Sequence, residues 1–209
     1  MSRPYLVLDV ETVAVDGVDE FLDVPSAPAN YKDPEKIAAY VADARQKAID
    51  SAATDVALAR PIVVCKLEPD GVLTTWTPTS ADDERECLID LWSEWERDPI
   101  VVGFHVLAYD LPLLLLRSME LGIGRPAIKL GKYSHPDVID LGAVLTFDYA
   151  VKLHSLGFYC RRFGVPHDDS FRGEDVARAW REGRLSEIRK HCEEDVRSTL
   201  ALAKTLGVL

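Results

Sequence analysis

The sequence has no long apolar run: nothing in its 209 residues approaches the roughly 20 apolar positions that a membrane helix needs. Its opening, Met1-Ser-Arg-Pro-Tyr-Leu-Val-Leu-Asp9, reaches an acid after a short apolar stretch, without the longer apolar segment and small-residue cleavage site of a secretory signal. A cytoplasmic protein with no membrane contact is therefore expected. Cysteine is sparse and unpatterned. Cys65, Cys87, Cys160 and Cys192 form no CxxC pair and lie in apolar periodic segments, which reads as buried thiols in a reducing compartment and argues against zinc. Cationic residues are in deficit: 24 Lys and Arg against 35 Asp and Glu give a net charge of −11. That argues against a protein that grips nucleic acid mainly by releasing counterions from a basic surface. It leaves open an enzyme whose clustered acids bind cations, which then carry the positive charge toward phosphate. Internal repeats and low-complexity tracts are also missing.

What is present is a globular composition, 47% apolar and 28% charged. Residues 5–11 read as a β-strand, and residues 61–68 and 72–78, joined by Pro69-Asp-Gly71, as an antiparallel pair. Between them, residues of about 13–60 form an insertion, not an independent domain. Its first part is loop-like; its second has Ile37, Tyr40, Val41, Ala44, Ala48 and Ile49 at helical spacing behind an Asp33-Pro34 start. Ser80 can cap a helix to about residue 97, with Cys87, Leu88, Leu91, Trp92 and Trp95 as its apolar stripe. A buried strand over 100–104, a helix over 111–121, a short strand over 138–141 and helices over about 153–163, 175–182 and 185–206 follow. The order predicts one α/β domain over residues 1–209, built on a mixed sheet flanked by helices.

Three groups carry chemistry. Asp9 and Glu11, two apart in a strand, project from the same face. Two adjacent carboxylates repel and are costly to bury without a cation, yet alone they fit a solvent-facing edge strand equally well. Asp110 opens a helix after the strand that ends at Gly103, where it can equally be an N-cap followed by Pro112. His191 and Asp195, four apart in the last helix, share a face beside a buried stripe; an exposed pair is the alternative.

Taken together the groups resemble the DEDD exonucleases, a branch of the ribonuclease H-like superfamily. Leu8-Asp-Val-Glu-Thr12 is similar to the first motif, Asp-x-Glu-Thr. Gly103-Phe-His-Val-Leu-Ala-Tyr-Asp-Leu-Pro112 is similar to the second, and Gly173-Glu-Asp-Val-Ala-Arg-Ala-Trp180 with Gly183, Ile188, His191-Cys192 and Asp195-Val196 to the third. That last stretch resembles the predicted exonucleases related to the proofreading domain of family B DNA polymerases. Two positions depart from the pattern. His105 stands where relatives usually carry Asn, and His191-x-x-x-Asp195 combines the spacing of the tyrosine branch with the residue of the histidine branch.

The resemblance implies a ribonuclease H-like fold and a metal-dependent 3′–5′ exonuclease that hydrolyses phosphodiester bonds at the 3′ end of single-stranded DNA. Two cations, Mg2+ or Mn2+, would sit among Asp9, Glu11, Asp110 and Asp195. Asp9 would bridge both, Glu11 and Asp195 would complete one site, and Asp110 would help hold the other. Thr12 and His105 are expected at the substrate. His191 is expected to orient or deprotonate the nucleophilic water, giving a rise in activity through about pH 6–8 for a base of ordinary pKa. Any proofreading role needs a polymerase or repair partner in trans. The alternatives are a silent nucleic-acid-binding or scaffold module of the same fold, an exoribonuclease, and an acidic protein–protein adaptor. Arg161, Arg162 and Lys190 read first as solvated residues, the four tryptophans as packing residues, and Asp140 as structural rather than a metal ligand.

Overall fold

The structure, a computed structural model, describes residues 3–23, 25–130 and 137–209. Met1 and Ser2 of the opening segment, and Val24 within the expected insertion, lie outside them. The first strand, β1 (Tyr5–Ala14), is central and largely buried on both faces. β2 (Ala59–Leu67) runs antiparallel along one side of it and β3 (Leu73–Trp76) antiparallel to β2. On the other side lie β4 (Ile100–Gly103) and β5 (Val138–Asp140), both parallel, so the sheet order is β3-β2-β1-β4-β5.

Helices cover both faces. α2 (Ala81–Ser93) and α3 (Asp110–Glu120) close one, packing Leu88, Leu91, Leu111 and Leu114 against Leu6, Leu8 and Val10 of β1. The other is closed by α5 (Leu156–Phe163), α6 (Gly173–Arg181) and α7 (Leu185–Thr205), with Cys160, Val176, Ile188 and Val196 against Val7, Val63 and Val102. The period-2 geometry of β1 thus sends its even-numbered residues to one core and its odd-numbered residues, Asp9 and Glu11 among them, to the α7 side. The mixed sheet between helical layers is the predicted architecture. α4 (Leu141–Thr146) is a further short helix that the periodicity did not foretell.

Local chemistry explains the boundaries. Ser80 caps α2 in a reciprocal capping box with Asp83, and Asp33 caps α1 (Pro34–Ala52), whose first residue is Pro34. α2 stops short of residue 97 and tightens into a 3-10 turn over Glu94–Arg97. α5 starts three residues later than expected because Ser155 supplies its cap. The expected helical spacing in the insertion is real, but α1 buries only Ala52; Ile37, Val41 and Ala44 are half-buried and Tyr40 exposed. The tryptophans pack as expected: Trp92 donates to Ser118, Trp95 stands edge-on to it, Trp76 lies beside Lys66 and Trp180 under Arg60. No helix of the described residues is long and apolar enough to cross a membrane.

Candidate active site

The odd-numbered face of β1, the start of α3 and the middle of α7 meet around a cleft of about 600 Å³. Asp9, Glu11, Asp110, His191 and Asp195 all line it. β1 brings Asp9 and Glu11 from its centre, beside β2 partners Cys65 and Val63; the pairing register slips immediately after Glu11. The slip bends the strand where the two carboxylates turn into the cleft, and pairing resumes from Thr12 to Ala14. Asp110 is the first residue of α3; Tyr109 holds the cap position without a side-chain cap. Asp110 is therefore a buried cleft carboxylate, not an N-cap. The His191–Asp195 pair is largely shielded rather than exposed, with 8% and 16% of the side chains open to solvent.

Crowding of like charges sets the electrostatics. Burial raises Asp9 to about 6, an effect partly offset by the Cys192 thiol. Asp195 is raised to about 9 by burial, then by the charges of Asp9 and Glu194. Glu11 and Asp110 are pushed well above the usual carboxylate range, first by burial and then by Asp9. Asp9 Oδ2 and Asp195 Oδ1 are sealed from solvent and have no hydrogen-bond partner. Among the described residues two sets of potential ligand atoms each lie within 4.8 Å of one another: Asp9, Glu11 and Cys192, and Glu11, His191 and Asp195. Asp110 lines the same cleft without joining either set.

His191 behaves differently from the expected base. Its Nε2 is 3.5 Å from Glu11 Oε1 and its Nδ1 is 3.7 Å from Asp195 Oδ1. Burial, then His167, lowers it to about 4, so the imidazole is neutral through the neutral range and a weak proton acceptor. The rise in activity through about pH 6–8 expected of an ordinary histidine is thus not assigned to it.

His105 and Thr12 part company. His105 lines the cleft with a left-handed φ of +64°, a conformation in which Asn, Asp and His are enriched among residues other than glycine. The chain therefore replaces one residue tolerant of that backbone by another. Its Nδ1 meets Tyr149 Oη at 3.1 Å. Thr12 does not line the cleft: its hydroxyl is 2.7 Å from the Ala53 carbonyl, to which it donates, and 2.8 Å from Tyr109 Oη. It steadies Tyr109, which does line the cleft and also donates to Ala53.

Asp140, left out of the expected metal set, ties the loop behind Asp110. Its Oδ1 accepts from the amides of His105 at 2.9 Å and Gly142 at 2.8 Å, and its Oδ2 from Leu107 at 3.1 Å and Tyr149 Oη at 2.8 Å. Sequence reading missed His167, which sits between α5 and α6 with 6% of its side chain exposed, 4.0 Å from Asp195 Oδ1 and 3.7 Å from Asp169 Oδ1. Gly157 of α5 makes room for it: a Cβ there would meet Asp169 Oδ1 at 2.5 Å and His167 at 2.9 Å. Its only signal was the loop punctuation Gly164-Val-Pro166. Of the basic residues, Arg161 lines the cleft and pairs with Asp169, and Lys190 pairs with Asp168 at the surface.

A family described as predicted 3′–5′ exonucleases related to the exonuclease domain of PolB matches residues 54–203. β1, with Asp9 and Glu11, lies before the matched span. No curated protein matches the chain by sequence. Among solved structures, the family B DNA polymerase of the hyperthermophilic archaeon Pyrobaculum calidifontis aligns over 99% of this chain and 25% of its own, at 18% identity and TM-score 0.65. A product-bound exonuclease I aligns over 100% of this chain and 44% of its own, at 12% identity and TM-score 0.54. An exonuclease I in complex with SSB-Ct aligns over 100% and 42%, at 12% identity and TM-score 0.55. The chain thus spans less than half the length of each, and the likeness is one of fold.

Proposed function

The chain belongs to the family of predicted 3′–5′ exonucleases related to the exonuclease domain of PolB, and from that membership we propose that it shortens single-stranded DNA from the 3′ end by hydrolysis that depends on two divalent cations, Mg2+ or Mn2+. The observation that carries this reading is the meeting of Asp9, Glu11, Asp110 and Asp195, from three separate segments, in one cleft. Their residue types fit cations: Asp9 Oδ2 and Asp195 Oδ1 are buried without a partner, and the carboxylates hold one another's ionised forms at a cost that positive charge relieves. Asp9, Glu11, Asp110 and Asp195 are the residues that would hold the cations. Bound cations would supply a nucleophilic water at neutral pH and neutralise charge at the leaving 3′ oxygen.

The chain's own residues bind and orient the strand. Phe104, Tyr109 and Phe171 give the cleft apolar walls on which an unstacked terminal base can rest, and His105 and Arg161 offer polar contacts beside them. Thr12 acts on the substrate only through Tyr109 in this reading. Residues 1–209 form one exonuclease domain with 13–60 as an insertion, tied to the site where Thr12 and Tyr109 meet Ala53. The four cysteines are free and buried, in keeping with a cytoplasmic enzyme. A polymerase or repair protein is the partner proposed for it.

The test is a Mn2+-supplemented assay on 5′-labelled single-stranded DNA and RNA, with Asp9→Ala as control. Ladder shortening of DNA that Asp9→Ala abolishes is expected. Shortening of RNA alone would make the protein an exoribonuclease, and no shortening of either would leave a silent binding module.

A further inference from the structure

Glu11, His191 and Asp195 bring one donor atom each within 4.8 Å of one another. The imidazole lies between the two carboxylates, at 3.5 Å from Glu11 Oε1 and 3.7 Å from Asp195 Oδ1. The 3.5 Å separation, from Nε2, is similar to the spacing of two ligands on one ion, about 3.4 Å for a tetrahedral site with bonds near 2.1 Å, whereas the 3.7 Å separation is from the other ring nitrogen, Nδ1. A buried polar atom normally finds a partner, yet Asp195 Oδ1, which faces the ring, has none among the described residues. Phe171 stands against the ring at 5.1 Å between centroids and holds its plane in the cleft. By contrast, the thiol of the other candidate set is in use, since Cys192 Sγ donates to the Asp9 carbonyl at 3.4 Å.

We infer that His191 is itself a ligand of the cation held by Glu11 and Asp195, donating a ring-nitrogen lone pair, and that this position consequently prefers a nitrogen-accepting transition cation to Mg2+. The inference rests on the exonuclease reading and deepens it by naming the class of metal. An all-carboxylate site suits Mg2+, whereas an imidazole among carboxylates shifts the preference toward Co2+ or Zn2+. No proton has to leave a neutral imidazole for it to bind.

Cation binding to the full chain, free of nucleic acid, tests this directly. Co2+ and Mg2+ are titrated separately by calorimetry into the wild type, His191→Gln and His191→Tyr, with the visible absorption of bound Co2+ recorded in parallel. Both variants are expected to lose Co2+ affinity by at least about tenfold, the low end of what losing even a supporting group at a metal site costs, while Mg2+ affinity moves less than Co2+ affinity. The Co2+ spectrum should change with the loss of nitrogen. If the variants do not fold, pulsed electron paramagnetic resonance of Mn2+ bound to the wild type should detect nitrogen coupling. Unchanged Co2+ affinity and spectrum, equal losses for the two cations, or a wild-type Mn2+ signal without nitrogen coupling would each overturn the ligand assignment; with shortening of DNA intact, the exonuclease reading would stand. A wild type that binds no cation and shortens no strand would overturn both.

Discussion

Asp140 and Asp195 are both carboxylates drawn toward the interior, yet they meet opposite fates. Asp140, 3% exposed, spends its oxygens on the amides of His105 and Leu107 in the loop and of Gly142 and Ala143 in α4, and on the Tyr149 hydroxyl. Asp195 keeps an oxygen with no partner. The first is what a structural acid looks like, and the second is the kind of acid that the proposed cations would need. Asp140→Ala should therefore destabilise the fold by about 3 kcal/mol or more, because several buried amides lose their acceptor at once; a loss under about 1 kcal/mol in urea unfolding would contradict the assignment. His191 makes the second argument at this scale. Lowered to about 4, it is already neutral across pH 6–8, and a nearby cation would lower it further. With saturating cation, His191→Tyr should leave the shape of the activity profile between pH 6 and 8 unchanged, whatever happens to the rate. A rise that vanishes in the variant would restore the general-base role. The residues themselves were readable as candidates, since carboxylates and histidines in ordered motifs stand out. Their burial was not, because solvent access depends on which helices lie over them.

Among the elements, those with local signals were legible. α1 and α2 announce themselves by Asp33-Pro34 and Ser80, whose caps both form. α4 was not legible: it has six residues, its cap is Asp140, and it is followed by Phe147, Asp148 and Tyr149, three successive residues with positive φ. Such a run is unfavourable by itself and is held by tertiary partners, here the Tyr149 hydroxyl on Asp140. The connector from β4 to α3 shows the same dependence. Gly103 looked like the end of a strand; in the fold a Cβ there would lie 2.5 Å from Val106 Cβ, a rigid contact without room to yield. Gly103→Ala should cost about 1–3 kcal/mol and, by moving the connector that sets Asp110, should weaken Mn2+ binding together with stability. Full retention of both, measured by thermal melting with and without Mn2+, would show that the connector can shift freely.

Over the whole molecule the acidic excess has its sharpest effect in the cleft. The unfolded chain releases its aspartate protons near 3.8, whereas folded Asp9 and Asp195 hold theirs to about 6 and about 9. Their contribution to stability is complete below the unfolded value and is lost as the pH rises through the folded one. His191 acts in the opposite sense: its contribution stands above 6.5 and is lost as the pH falls to about 4. Between pH 6.5 and 9, then, Asp195 changes while His191 does not. In chelator the melting temperature should fall across that window, and Mg2+ or Asp195→Asn should flatten the fall; a flat curve in chelator would contradict the crowding of the site. The sequence by itself determined the mixed α/β architecture and the four acids that the family pattern names, because period-2 and period-3.6 patterning, caps and motif order are local properties of the chain. Only the tertiary structure decided that Asp110 is a cleft acid and not a cap, that Thr12 serves Tyr109, that His167 stands beside Asp195, and that His191 is a largely shielded, neutral group between Glu11 and Asp195. Those outcomes depend on the packing of α3, α5 and α7 against one strand, which brings together groups far apart in the chain and removes the water that would otherwise screen them.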